Sequence, residues 1–252
     1  MNTVDLNCDL GESFGRYTLG LDAEVIPLVS SCNIACGMHA GDPAVMEKTV
    51  ALAAEAGIAI GAHPGYPDLQ GFGRRDLNLS PEEAYAFTVY QIGALAGFCA
   101  ARNVELNHVK PHGQLYNRAA VDPELAAAIA RAVRDVDPEL VLVGLANSEL
   151  IAAGGQAGLA VAQEFFTDRN YTDEGLLVSR TRPDALITDE EFAVTRVVRV
   201  VKEGTIESVS GKTIEIQADT ICVHGDNSHA LEFVRRIRTA LVAEGIAIEP
   251  VA

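Results

Sequence analysis

The chain has 252 residues, 48% of them hydrophobic and 21% charged, which is enough apolar material for one large core and too much for a disordered chain. Its net charge of −16 sets it against nucleic acid and anionic membrane surfaces by plain repulsion, while a few local arginines can still hold a small anionic ligand. The opening MNTVDLNCDLGES carries neither a basic region nor an apolar run, and no stretch reaches the roughly 18 consecutive apolar residues of a membrane helix, so cytoplasmic residence is expected.

In chain order, short apolar runs alternate with helical patterns. Strands are predicted at 4–9, 32–36, 58–62, 104–109, 140–144, 160–165 and 220–224, and helices near 43–56, 81–101, 122–135, 146–153, 188–200 and 227–244. Helix starts are marked by Asp42-Pro43, by Asp122-Pro123 and by the capping box Ser80-Pro81-Glu82-Glu83; Thr188 with Glu191 fits a further box. Gly57 and Gly245 stand where helices end. Residues 197–217, VVRVVKEGTIESVSGKTIEIQ, alternate apolar and polar around Gly211 and are predicted to form an antiparallel hairpin.

Strands alternating with helices favour a parallel sheet with helical crossovers, closed or doubly wound. Seven strands over this length suit an α/β fold, an irregular seven-stranded TIM-like β/α barrel in one domain, 1–252, with the hairpin appended at about 197–217. The five cysteines, Cys8, Cys32, Cys36, Cys99 and Cys222, form an odd set without a C-x-x-C pair and read as small buried hydrophobes rather than disulfides.

The polar residues collect where the strands end. Strand 1 runs into Asn7-Cys8-Asp9-Leu10-Gly11-Glu12, the second into His39-Ala40-Gly41-Asp42, and the third into His63-Pro64-Gly65. The fourth runs into Lys110-Pro111-His112-Gly113 and the last into His224-Gly225-Asp226. C-terminal strand ends form the functional face of parallel α/β folds, so Asp9, His39, His63, Lys110, His112 and His224 are the catalytic candidates. Asp42 and Asp226 serve equally well as helix caps, His108 as a core residue, and His229 as an ordinary helix residue. Two long loops offer handles for a carboxylate: 61–79 with Arg74 and Arg75, and 164–182 with Arg169, Tyr171 and Arg180. A divalent zinc or manganese ion is conceivable on Asp9, His39 and His63, although no H-E-x-x-H marks it. There is no P-loop, no G-x-G-x-x-G after a strand and no G-x-S-x-G elbow, so nucleotide binding has no recognisable home here.

Six blocks, DLNCDLGESFG (5–15), SCNIACGMHAGDP (31–43), GAHPGYPDLQGFGRR (61–75), VKPHGQLYN (109–117), EFFTDRNYTDEGLLVSR (164–180) and ICVHGDN (221–227), strongly resemble the LamB/YcsF family, the A subunit of the bacterial ATP-dependent 5-oxoprolinase. Met38 and Gln114 depart from that pattern, where Phe and Ala are expected. The resemblance implies a β/α barrel and ATP-coupled cleavage of 5-oxoproline to L-glutamate in a complex with subunits B and C, the partners binding most of the ATP. Lactam hydrolysis needs a base for water, stabilisers for the developing oxyanion or phosphate, and an acid for nitrogen. Asp9 or His39 suits the first role, Lys110 with His112 the second, and His63 or His224 the third. Asn7, Glu12, Asp42, Arg74, Arg169, Arg180 and Asp226 are the expected substrate-binding set, with Arg169 or Arg180 on the carboxylate. Two other readings stay open: a stand-alone metal-dependent deacetylase or amidase, and a ligand-binding subunit without catalysis.

Overall fold

The computed structural model describes residues 2–225 and 228–252, without the side chain of Ser228. The strands are β1 (Thr3–Leu10), β2 (Ser31–Ala35), β3 (Ala59–His63), β4 (His108–Val109), β5 (Val141–Leu145), β6 (Val161–Phe166), β7 (Thr205–Glu207), β8 (Thr213–Glu215), β9 (Thr220–Val223) and β10 (Ala247–Ile248). The α-helices are α1 (Asp22–Val25), α2 (Pro43–Ala56), α3 (Pro81–Ala101), α4 (Gly113–Ala119), α5 (Pro123–Val136), α6 (Glu149–Gln156), α7 (Glu190–Glu203) and α8 (Ser228–Ala243).

Seven parallel strands run β1-β2-β3-β4-β5-β6-β9 and close where β9 pairs back onto β1, Asp5 opposite Thr220 and Cys8 opposite Val223. Closure abolishes the sheet edges, and β10 adds a short parallel pairing at the start of β1. Crossover helices bury β2, β5 and β9 completely, which is why these strands read as continuous apolar runs rather than alternating ones. Three helix starts follow the predicted capping grammar, whereas α7 is capped by Asp189, which accepts from Phe192 N–H, and not by Thr188. Asp42, Ser80 and Asp122 each accept backbone N–H bonds from the first turn, with Pro at the next position, and Ser80 and Glu83 complete a capping box. By length and composition α3 is apolar enough to cross a membrane, but it packs against α2, β3 and α5 in the outer ring. All five cysteines are buried and none is in a disulfide.

The structure corrects three boundaries. Residues 197–203 belong to α7, not to the hairpin: the run that seems to alternate buries Ala193, Arg196, Val197 and Val200 at helical spacing, and Gly204 (φ +67°) ends the helix. The hairpin is therefore shorter, pairing β7 with β8 around Gly211 (φ +85°), with Ile206 opposite Ile214. The fourth strand covers only His108–Val109 of the expected 104–109, because Val104 N–H turns back to Cys99 O and finishes α3. Helix α4 had no capping signal in the sequence, and His112 precedes it without a side-chain cap.

Two features outside the barrel shape its C-terminal mouth. The hairpin braces the segment after β6: Ser208 and Ser210 donate to Asp173, and Val209 N–H donates to Tyr171 O. The 61–79 segment folds across the mouth, tied by the Asp68–Arg75 ion pair and by Gln114 N–H on Gly73 O.

Candidate active site

Inside the barrel the strands carry a polar ladder in place of the usual aliphatic layers. At its lower end, buried Asp5 accepts from Ser31 and Thr220 at 2.8 and 2.5 Å, and its carboxyl is raised by burial. One step up, Asn7 donates to Thr220 and Glu164 and accepts from Asn33, which in turn accepts from His108 Nε2 at 2.8 Å. Lys110 caps the ladder. Its ammonium, 2% exposed, meets Glu164 at 2.7 Å, Asp9 at 2.9 Å and Asn7 Oδ1 at 3.1 Å. Burial opposes that charge, but Asp9 above all outweighs it and holds the lysine well above its ordinary range. Burial would likewise raise the Asp9 carboxyl; His63 and Lys110 beside it prevail, and Asp9 stays ionised far below the usual carboxylate value.

Above Asp9 three histidines pack together. His63 Nε2 lies 3.4 Å from Asp9 Oδ2 and 3.0 Å from His112 Nδ1. His63 Nδ1 is bound to Lys110 O at 2.7 Å, and His112 Nε2 to Phe72 O at 2.8 Å. His39 stacks on His112 with ring centres 3.7 Å apart and planes 4° from parallel, and neither of its nitrogens has a hydrogen bond. Glu12 Oε1 approaches His112 Nδ1 at 3.8 Å and His39 Nε2 at 3.9 Å. Burial and the neighbouring histidines lower His39 well below its normal range and His112 to about 3, so both rings are neutral at neutral pH. Backbone approach makes this packing possible: a Cβ on Gly65 would fall 2.5 Å from His39 Nδ1, and one on Gly73 (φ +63°) 2.8 Å from His39 Cβ.

His63, His112 and Asp9 line a cavity of about 840 Å³ at the mouth of the barrel. Arg74, Arg169, Arg180 and His224 also line it, Arg74 on the histidine side, over the Phe72 ring. Arg169 is 4% exposed; it donates to Val178 O at 2.6 Å, and its Nε has no hydrogen bond. His224 Nε2 sits 3.5 Å from Asp168, whose carboxyl burial would raise but His224 and the arginines bring down to about 2. The cavity thus offers an ionised carboxylate beside an imidazole, an imidazole–carboxylate pair, and cations for an anionic ligand. This is acid–base equipment for attack by water on a carboxylated substrate.

Residues 4–252 match the LamB/YcsF family. The chain belongs to that family. It is 59% identical to the 5-oxoprolinase A subunit of Bacillus licheniformis over 249 residues, 99% of this chain and 98% of that one. It is 57% identical to the 5-oxoprolinase A subunit of Bacillus subtilis over 252 residues, 100% of this chain and 98% of that one. Among solved structures it superposes on the lactam utilization protein of Thermus thermophilus with a TM-score of 0.93 at 47% identity, covering 99% of this chain and 100% of that one.

Of the residues singled out in the LamB/YcsF blocks, Asp9, His63, Lys110, His112, His224, Glu12, Arg74, Arg169 and Arg180 all line this one cavity. His39 stacks on His112 and lies outside the lining. Asn7 and Asp42, expected as substrate contacts, lie outside the cavity lining. Asn7 is 1% exposed within the ladder, and Asp42 caps α2 and accepts from Gly15 N–H at 2.7 Å. Arg75 is taken by Asp68, and Tyr171 is buried with its hydroxyl accepting from Phe166 N–H. His108 belongs to the ladder, and exposed His229 pairs with Glu190 at 3.2 Å. Asp226 lies outside the described residues. The metal set also changes: the groups that could hold an ion are Glu12, His39, His63 and His112, all within 4.8 Å of one another, whereas Asp9 Oδ1 is occupied by Lys110 and Asn33. Sequence reading missed Asn33, Glu164 and Asp168; the two strand-borne ones were signalled only by a polar residue inside an apolar run.

Proposed function

We propose that this chain is the ring-opening component of a 5-oxoprolinase, cleaving the C–N bond of 5-oxo-L-proline to give L-glutamate. The observation that carries the reading is the Asp9–His63 pair in a cavity that three arginines also line, in a chain 59% identical to a 5-oxoprolinase A subunit. The ionised Asp9 carboxylate, whose Oδ2 lies 3.4 Å from His63 Nε2, takes the proton of the attacking water. Lys110 has its protons committed to Asp9, Glu164 and Asn7, so it acts by holding Asp9 charged and aimed rather than by touching the lactam. His224, held by Asp168, delivers a proton to the departing nitrogen, and Arg169 with Arg180 binds the carboxylate. A divalent ion at the histidines would supply a Lewis acid for the same carbonyl.

A lactam is a poor electrophile, and ATP activates it by phosphorylating the lactam carbonyl oxygen with release of ADP, the phosphate leaving after water has added to that carbon. The chain has no glycine-rich phosphate loop and carries a net charge of −16, so nucleotide binding falls to the partners, subunits B and C, in a cytoplasmic complex. Glutamate release from 5-oxoproline is measured with ATP for this chain alone, for the partners alone and for all three together. Turnover by the three together, and by no smaller set, supports the reading. Glutamate formed by the partners alone would refute it, and ATP-independent turnover by this chain alone would favour a stand-alone amidase.

A further inference from the structure

Two backbone carbonyls determine the tautomers of the central histidines. Lys110 O and Phe72 O have no proton to give, so His63 Nδ1 and His112 Nε2, at 2.7 and 2.8 Å, must donate to them. A neutral imidazole carries one N–H. The remaining nitrogens, His63 Nε2 and His112 Nδ1, therefore face each other across 3.0 Å with a lone pair on each. Two buried lone pairs that close repel unless a positive centre lies between them. Histidines that donate one nitrogen to a backbone carbonyl and turn the other to a common point have the arrangement of metal ligands oriented from behind.

We propose that the chain binds one divalent transition-metal ion of the zinc class, held by His63 Nε2, His112 Nδ1 and the Glu12 carboxylate, with His39 as fourth ligand. The distances suit it. Two nitrogens about 2.1 Å from one ion stand about 3.0 Å apart at a right angle and about 3.4 Å apart at the tetrahedral angle. Glu12 Oε1, 3.8 Å from His112 Nδ1, falls short of the roughly 4.2 Å that separates ligands on opposite sides of an ion. His39 needs the largest adjustment, because a ring stacked parallel on His112 does not aim at the same point; it turns readily, since both its nitrogens lack a hydrogen bond. Those two orphaned nitrogens, on a side chain 1% exposed, are the independent sign that the cluster is incomplete as a purely protein structure. Three imidazoles and one carboxylate select zinc and its first-row neighbours over magnesium or calcium, which prefer oxygen. Asp9, already bound by Lys110 and Asn33, stays outside the ligand set beside it.

The test does not depend on the 5-oxoprolinase reading. The full chain, stripped with chelator and dialysed, is titrated with Zn²⁺ by calorimetry, and a parallel sample takes Co²⁺ for its visible absorption. One equivalent of Zn²⁺ and a cobalt band are expected. His112→Ala should abolish both, and Glu12→Gln should weaken Zn²⁺ by about tenfold or more. Glu12 sits at the cavity surface, so this second variant keeps the test intact if His112→Ala does not fold. A folded wild-type chain that takes up no Zn²⁺, or Zn²⁺ binding that survives Glu12→Gln undiminished, would overturn the proposal and leave a shared proton as the cation between His63 and His112.

Discussion

His108 shows how a residue inside the barrel is tuned by its neighbours. It is 1% exposed, wedged between Asn33 and Asn107, and burial, Lys110 and His63 lower it from 6.5 to about 3. The unfolded chain binds this proton below pH 6.5 and the folded chain does not, so stability is complete above the unfolded value and is lost as pH falls towards about 3. The full effect is on the order of 5 kcal/mol. Chemical denaturation across this range should show a shallower pH slope for His108→Gln than for the wild type; equal slopes would mean that His108 is not the group titrating. At this scale the sequence was only partly legible. Asp9, His63, Lys110 and His224 stood out because Gly or Pro follows them at strand ends. Glu164 and Asn33 did not, because a parallel-barrel strand is buried on both faces and has no alternation to show which side chains point inward. Asp42 looked like a site residue because an N-cap and a ligand contact use the same side chain at the same place.

Strand β3 depends on a residue with no side chain. A Cβ on Gly61 would stand 2.1 Å from His108 Nε2, inside the ring's own space, so the imidazole can cross to Asn33 only over a glycine. Gly61→Ala should therefore destabilise the fold by about 1–3 kcal/mol through overpacking. The check is a lower denaturant midpoint at unchanged slope; a variant as stable as the wild type would show that the ring can move aside at no cost. Element type was readable almost throughout, since capping boxes and Asp-Pro starts place α2, α3 and α5 within a residue. The failures have local causes. At 197–203 the Val-rich run satisfies strand and helix spacing together, and contact of Val197 and Val200 with the core decides for the helix. Helix α4 begins at Gly113 (φ +55°), whose close approach to the 61–79 segment is a tertiary contact that no local signal announces.

For the whole molecule, the closed barrel brings to one mouth side chains that are far apart in sequence: Asp9 and Lys110 are separated by 101 positions and meet at 2.9 Å. The clustering of polar strand ends was visible in the sequence, because parallel β/α order puts every such end on the same face. The cavity itself was not, since it forms where the segments after β3 and β6 fold over that face. If the Asp9 carboxylate drives ring opening in this cavity, removing its charge must slow the enzyme without unfolding it. Asp9→Asn in the reconstituted three-component enzyme separates the two effects, with 5-oxoproline turnover measured beside circular dichroism of the variant. Loss of an acid–base partnership removes about 10²–10⁴ in rate, so a fall of that order is expected in a folded protein. Turnover at the wild-type rate by folded Asp9→Asn would mean that the carboxylate plays no part in ring opening.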